Sequence, residues 1–149
     1  MLSSLIGETI KSSHGELNVY GKAAYAPQIP WIQNTSVREN ILFGRPYDPE
    51  FYDRVIDACS LRLDFTQLPA GDETEIGEKG INLSGGQKQR ISLARCVYAN
   101  VDIYLLDDTL SAVDATVAQN IFESIIGPRG LLRNKAGEFL SLKITIINF

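Results

Sequence analysis

The sequence has only two cysteines and lacks any long apolar run, which sets its first limits. Two cysteines are too few for a disulfide scaffold, and Cys59 and Cys96 each lie among apolar positions at helical spacing. We interpret both as reduced thiols in or near a core. No apolar run approaches the ~20 residues that a membrane-spanning helix needs. The first residues also lack the basic start and apolar centre of a signal peptide, so we expect a soluble or peripheral polypeptide.

An excess of positive charge is also missing. The 14 Lys and Arg residues are outnumbered by 18 Asp and Glu residues, and the formal net charge is -4. This balance argues against a general grip on nucleic acid. The content of 44% hydrophobic and 21% charged residues is typical of a globular chain, and 149 residues suffice for about one domain. The single histidine, His14, is expected on a surface loop.

Strand-like and helix-like segments alternate along the chain and predict an α/β fold. The strand-like segments are residues 15–21, 23–27, 103–106 and, at the end of the chain, 143–149. The predicted helices are the end of one at 1–8, three that begin after cap residues Ser36, Asp48 and Ser84, and one around 117–125. The helix after Ser84 is expected to end near Asn100.

The run at 103–106 ends in two acidic residues. A continuous apolar strand is typical of a parallel sheet buried on both faces, and its carboxyl end opens on a ligand crevice. Asp107 is suited to hold Mg²⁺, and Asp108 to orient or deprotonate an attacking water. An ordinary acidic loop after a core strand is the alternative. The nearby "SAVDA", which offers Asp114 from a tight turn, favours a site.

The stretch "NLSGGQKQR" combines a serine, two glycines and a helix start. Gly85 and Gly86 let the backbone approach a phosphate closely, and the helix N-terminus favours an anion there. Ser84 adds a hydroxyl and Gln87 a long amide. A capped helix after a tight turn explains the pentapeptide equally well when it is taken alone.

The phosphate loop G-x-x-x-x-G-K-[ST] is absent from the sequence. The nearest candidate, Gly21-Lys22, is followed by Ala23 and has Glu16 where the first glycine belongs. The chain therefore carries only part of a nucleotide site.

Together these motifs resemble the nucleotide-binding domain of ATP-binding cassette (ABC) transporters. "LSGGQKQR" is similar to the family signature, "IYLLDD" to the Walker B strand and "SAVDA" to the D-loop. "YAPQ" places Gln28 as the Q-loop glutamine. "TEIGEKG", residues 74–80, resembles the loop through which exporters contact their transmembrane segments. "WIQNTSVRENILFG" and "DDTLSAVDA" point to the first such domain of multidrug-resistance-associated (subfamily C) exporters.

The resemblance implies a P-loop NTPase-like ABC ATPase core that is incomplete and carries a helical subdomain. Residues 1–135 would be a partial nucleotide-binding domain, with the helical subdomain at about 30–100. Residues 136–149 would be a divergent tail. The resemblance also implies a beginning just downstream of the phosphate loop and an end before the switch histidine, so we expect no measurable ATPase from this chain alone.

The resemblance also implies roles, with ATP and Mg²⁺ as cofactors. Gln28 and Asp107 would hold Mg²⁺, and Asp108 with Gln28 would act in catalysis. Ser84 to Gln87 would contact the γ-phosphate of a nucleotide bound by a second, head-to-tail domain, and Asp114 would make a cross-dimer contact. The partners would be that domain and transmembrane domains, with no nucleic acid. The location would be the cytoplasmic face of a membrane, through the parent transporter.

Two residues depart from the family pattern. Competent members have glutamate where Asp108 stands, and a carboxylate withdrawn by ~1 Å can cost about a hundredfold in rate. Thr109 stands where the subfamily usually has proline, and its effect should be small. A soluble ATPase that acts on nucleic acid or ribosomes, and a non-catalytic remnant, remain as alternatives.

The other prominent side chains receive structural interpretations. We expect Trp31 to pack rather than stack on adenine, and Glu78 to contact the transmembrane partner. Lys88, Arg90 and Arg95 are interpreted as a basic helix face, with Arg90 pairing with nearby acids.

Overall fold

The structure, a computed structural model, describes residues 21–78 and 80–133. The elements predicted at 1–8, 15–21 and 143–149, the loop assigned to His14 and the tail at 136–149 lie wholly or almost wholly outside this part. The elements follow in the order β1 Ala23–Ala26, α1 Val37–Leu42, α2 Pro49–Ala58, α3 Arg62–Gln67, a 3-10 turn Gly71–Glu73, α4 Gly85–Tyr98, β2 Ile103–Leu106 and α5 Ala115–Ile125.

The two strands form a parallel pair. Ala23 is opposite Ile103 and Ala26 is opposite Leu106, and the Asp107 N–H extends the pairing by donating to the Ala26 carbonyl at 3.0 Å. Parallel strands need a crossover connection, and α1 to α4 supply it. The predicted α/β fold is confirmed. Its consequence is that both strands end at the same edge, immediately before the candidate site residues.

The helices begin where the sequence predicts caps. Ser36 Oγ accepts from the Glu39 N–H at 3.1 Å at the start of α1. Asp48 Oδ1 accepts from the Phe51 N–H at 3.1 Å at the start of α2, with Pro49 as the first helical residue. Each side chain satisfies an amide that has no partner within its helix, which fixes where the helix starts.

Helix α4 lies at the centre of the core. The predicted apolar face, Ile91, Ala94 and Val97, is buried, and residues on the other faces of its second half are buried too. Cys59 and Cys96 are both free and buried, as predicted. Burial raises the pKa of the Cys96 thiol to about 12, so it stays protonated at neutral pH. A helix that is enclosed on nearly all sides gives the exposed turn at its N-terminus a rigid base.

The prediction of a basic face on α4 is wrong for Arg95, which is only 8% exposed. Its Nε donates to the Asn40 carbonyl at 2.7 Å, its Nη2 to Asn40 Oδ1 at 2.9 Å, and its Nη1 to the Trp31 carbonyl at 3.2 Å. The guanidinium lies 4.1 Å from the Trp31 ring centroid, so Trp31 has the packing role that we predicted. Burial lowers the pKa of Arg95 to about 10, so it remains charged at neutral pH.

Two features between α2 and α4 are absent from the sequence prediction. Helix α3 was not expected, because its cap residue Leu61 makes no side-chain cap and none of the helix residues is buried. The polar segment between α3 and α4 contains the 3-10 turn and buries Ile76, which is 1% exposed. The Ile76 N–H donates to the Thr35 carbonyl at 3.0 Å and anchors this segment to the start of α1.

Candidate nucleotide-binding site

Three predicted site residues meet at the carboxyl edge of the two strands. Gln28 Nε2 donates to Asp108 Oδ2 at 2.7 Å. Tyr25, on β1, donates its hydroxyl to Asp107 Oδ2 at 3.2 Å. The parallel pairing explains the meeting, because the chain leaves both strands at this edge.

The backbone and a neighbouring phenol orient the two carboxylates. Asp108 has φ of 49°, in the left-handed region that aspartate tolerates better than most residues. This turns the chain sharply after β2. The pKa of Tyr25 is raised, first by burial and then by the hydrogen bond and charge of Asp107. The phenol therefore stays protonated at neutral pH and remains a donor that holds Asp107.

The donor set at this edge fits Mg²⁺. The cation is usually held by one or two carboxylates, with phosphates and waters completing its shell. Asp107 supplies a carboxylate, and Gln28 an amide oxygen whose nitrogen is already bonded to Asp108. In residues 21–78 and 80–133 no group of three or more His, Cys, Asp or Glu side chains could hold a metal ion. One carboxylate and one amide oxygen leave most positions around such an ion to phosphate and water oxygens.

Residues 84–87, which we call the signature turn, form the start of α4 and are closed by a capping box. Ser84 Oγ accepts from the Gln87 N–H at 3.2 Å, and Gln87 Oε1 accepts from the Ser84 N–H at 2.9 Å. The Lys88 N–H donates to the Ser84 carbonyl at 3.0 Å, which is the first i to i−4 bond of the helix. The Gly85 and Gly86 N–H groups precede that bond, at the end of a helix dipole where an anion is favoured.

Both the nitrogen and the oxygen of the Gln87 side chain bond other residues of this chain. Its Nε2 donates to Asp64 Oδ1 at 3.1 Å, while its oxygen serves the capping box. Asp64 also forms a 2.7 Å ion pair with Arg90, so the predicted acidic partner of Arg90 is present. Gln87 thus stabilises the turn, and its contact with nucleotide stays a prediction.

Asp114 begins α5 as its cap. Its Oδ1 accepts from the Val117 N–H at 3.0 Å, and the residue is exposed. This contact explains the aspartate structurally, and its cross-dimer role stays a prediction. In the described part of the chain, Ser84 bonds within the signature turn, whereas Asp108 bonds Gln28 at the carboxyl edge of the strands.

The sequence interpretation overlooked Gln89. It is buried on α4, accepts from the Ala112 N–H at 2.8 Å and donates to Ser111 Oγ at 2.9 Å. Gln89 is four residues before Leu93 and seven before Cys96, which places a polar side chain on a buried stripe. That interruption of an apolar face was the available signal.

Comparison with known proteins agrees with these motifs. Residues 5–111, more than half of the chain, match the family model described as ABC transporter. The chain belongs to the ABC transporter family. It has the family's P-loop NTPase fold and forms part of an ATP-binding domain.

The relatives place this ABC transporter chain in more detail. It is 62% identical to multidrug resistance protein mrp-7 of Caenorhabditis elegans over 135 residues. It is 55% and 53% identical to the human ATP-binding cassette sub-family C members 2 and 3 over the same length. Each match covers 91% of this chain and 9% of the relative, so the chain spans less than a tenth of the proteins it matches. The predicted resemblance to subfamily C is confirmed.

The family match covers most of the candidate site residues but not all of them. It contains the Gln28, Asp107 and Asp108 edge and the signature turn of this ABC transporter chain, and it ends before Asp114. Within residues 21–78 and 80–133 the structure has no helix of the length and apolar character needed to cross a bilayer.

Proposed function

We propose that this chain works within a nucleotide-binding domain of a subfamily C exporter, where ATP binding pairs two such domains head to tail. The observation that carries the proposal is the exposed, capped glycine turn of α4, in a chain whose relatives are multidrug resistance proteins. The cofactors are ATP and Mg²⁺, and the membrane location follows from the transporter as a whole, with this domain on the cytoplasmic face.

The carboxyl edge of the strands would serve the nucleotide of its own domain. Asp107 and Gln28 would hold Mg²⁺, which neutralises phosphate charge when it is bound. Asp108 would orient the attacking water, with Gln28 bonded to its carboxylate at 2.7 Å. Because aspartate is shorter than glutamate, we expect slow turnover at this site, about a hundredfold below that of a glutamate site.

The signature turn would serve the nucleotide of the partner domain. Ser84 Oγ and the N–H groups of Gly85 and Gly86 would bind its γ-phosphate across the dimer, and Asp114 would contact the partner nearby. The capping box fixes these groups before nucleotide arrives, so little ordering is needed on binding.

The surface that we propose for contact with the transmembrane domains is an open cleft. It lies between residues 30–35 and the segment that begins at Gly77, and Lys88 also lines it. The Glu78 N–H donates to Asn34 Oδ1 at 2.8 Å and fixes one wall to the other. We propose that a transmembrane domain contacts this cleft, so that movement at Gln28 and at residues 74–80 reaches it.

The soluble ATPase alternative is less well supported. Members that act on DNA insert a very long coiled coil between the Q-loop glutamine and the signature. Here the longest described helix between Gln28 and Ser84, α2, has 10 residues. The relatives named above are multidrug resistance and subfamily C proteins, which favours an exporter.

A pair of cap substitutions tests the role of the signature turn. Ser84→Ala and Ser36→Ala each remove one N-cap bond and should destabilise a helix by about 1 kcal/mol. Only Ser84→Ala also removes a donor to the phosphate of the partner's ATP, which should raise the ATP concentration for half-maximal hydrolysis about tenfold. ATP titration of hydrolysis in the purified complete protein measures this. Equal ATP dependence of the two variants would count against the proposal.

A further inference from the structure

We propose that Gln89 is a positioning residue that fixes the loop at residues 108–114 against the signature turn. The inference rests on the proposed function, because it concerns how two elements of that ATP site keep their relative position. Gln89 lies within the quoted signature and its partners Ser111 and Ala112 within the D-loop, but none of the three has been given a role above.

The side-chain amide of Gln89 is buried, and both its oxygen and its nitrogen make hydrogen bonds. It is 4% exposed, although it lies within one turn of the exposed end of α4. Its Oε1 accepts from the Ala112 N–H at 2.8 Å, and its Nε2 donates to Ser111 Oγ at 2.9 Å. A buried polar network with every member satisfied rigidifies its surroundings, whereas a partly satisfied one is costly.

Hydrogen bonds continue from Gln89 and Ser111 to the carboxyl edge of the strands. Ser111 Oγ donates to the Asp108 carbonyl at 3.0 Å, and Gln89 Nε2 also approaches the Gln28 carbonyl at 3.4 Å. The side chains of Gln28 and Asp108 are bonded to each other at 2.7 Å. One amide on α4 therefore reaches both residues that would face the attacking water.

The first turn of α4 packs on the same loop. A Cβ at Gly86 would lie 2.9 Å from the Ala112 carbonyl oxygen, and one at Gly85 would lie 3.7 Å from the Ala112 Cβ. The glycine at 86 is thus required by the approach of the 108–114 loop, independently of any phosphate. Gln89, one turn later, locks that approach with hydrogen bonds. The signature turn and the loop would consequently move as one unit when the domains pair.

Glutamine is the side chain that this position needs. It must accept from one backbone N–H and donate to a hydroxyl at the same time. Methionine has a similar length and apolar body but provides no N–H donor. Gln89→Met therefore removes the bridge while keeping the volume, which makes it the informative substitution.

The test compares Gln89→Met with Gln119→Met in the complete protein. Gln119 is exposed on α5, and its side chain bonds the neighbouring Glu123 at 3.3 Å, so it controls for the chemical change. We expect Gln89→Met to speed amide hydrogen exchange of residues 108–114 at least about tenfold, with exchange in the second half of α4 unchanged. The maximal rate of ATP hydrolysis should fall about tenfold or more, with little change in KM. Gln119→Met should change neither.

A second variant, Ser111→Ala, tests the same link at a position where the substitution should not disturb folding. Ser111 is exposed, so Ser111→Ala leaves the core intact while it cuts the link to the Asp108 carbonyl. We expect a smaller loss of rate. Because both substitutions break one path, the double variant should be no slower than Gln89→Met within about twofold.

The possible failures are distinguishable. Unchanged exchange at residues 108–114, or faster exchange with a normal rate of hydrolysis, overturns the role of Gln89 alone. Full additivity of the two substitutions also overturns it. A wild-type protein that neither binds nor hydrolyses ATP overturns the proposed function, whatever exchange shows.

Discussion

At the scale of single residues, buried polar side chains organise this domain. Arg95 joins the segment before α1 to the core, and Gln89 joins the core to the 108–114 loop. The two partners of each bond lie far apart in sequence, so neither side chain contributes to local helix formation. Each instead fixes how separate segments pack, and each leaves unpaired groups behind if it is removed.

Arg95→Lys tests the residue scale. An ammonium cannot reach the three oxygens that the guanidinium bonds, nor stack on Trp31 in the same way. We expect a loss of about 2 kcal/mol in local stability, measured by hydrogen exchange of α1 and α4. Arg54→Lys, at an exposed position of α2, is the control and should be neutral. Equal effects of the two substitutions would contradict the structural role given to Arg95.

At the scale of elements, α3 is held by its contacts with α4 rather than by its own sequence. It has no side-chain cap and no buried residue, and Asp64 connects it to Gln87 and Arg90. The side chains of the Arg90–Asp64 pair are 14% and 13% exposed, so water and salt screen it little. The signature turn is therefore stabilised from the side by a helix that would be marginal alone.

Asp64→Asn tests this element. It removes the partner of a largely buried cation, and we expect a loss of about 2 kcal/mol together with faster exchange in α3 and the signature turn. Asp57→Asn is the matched control, because its 2.8 Å pair with Arg62 is exposed at 62% and 53%. That change should cost at most ~0.5 kcal/mol. If both variants exchange alike, α3 is not held by the Asp64 contacts.

At the scale of the whole molecule, the sequence predicts what depends on local signals. The caps at Ser36, Asp48 and Ser84 could be located because each bonds an amide three residues further on. The strand before Asp107 could be located because its apolar run is continuous in the sequence, although its pairing partner is 80 positions away. Helix α3 has no such signal. The burial of Gln89 and Arg95 depends on partners between 22 and 64 positions away, which a local pattern cannot show.

The same distinction applies to the site. The motifs identified its residues, and parallel strand pairing explains why Gln28 and Asp108 meet. The nucleotide roles of Ser84 to Gln87 and Asp114 depend on a second domain, so they stay predictions. The domain limits 1–135 and 30–100 are likewise predictions.

The central claim is that the glycine turn of α4 binds a triphosphate held by another domain. The most direct measurement is a structure of the complete protein with Mg²⁺ and a non-hydrolysable ATP analogue. We predict Ser84 Oγ and the Gly85 and Gly86 N–H groups within ~3 Å of γ-phosphate oxygens whose phosphate loop belongs to the opposite domain. A nucleotide-filled, paired structure in which those groups face solvent or protein would contradict the account.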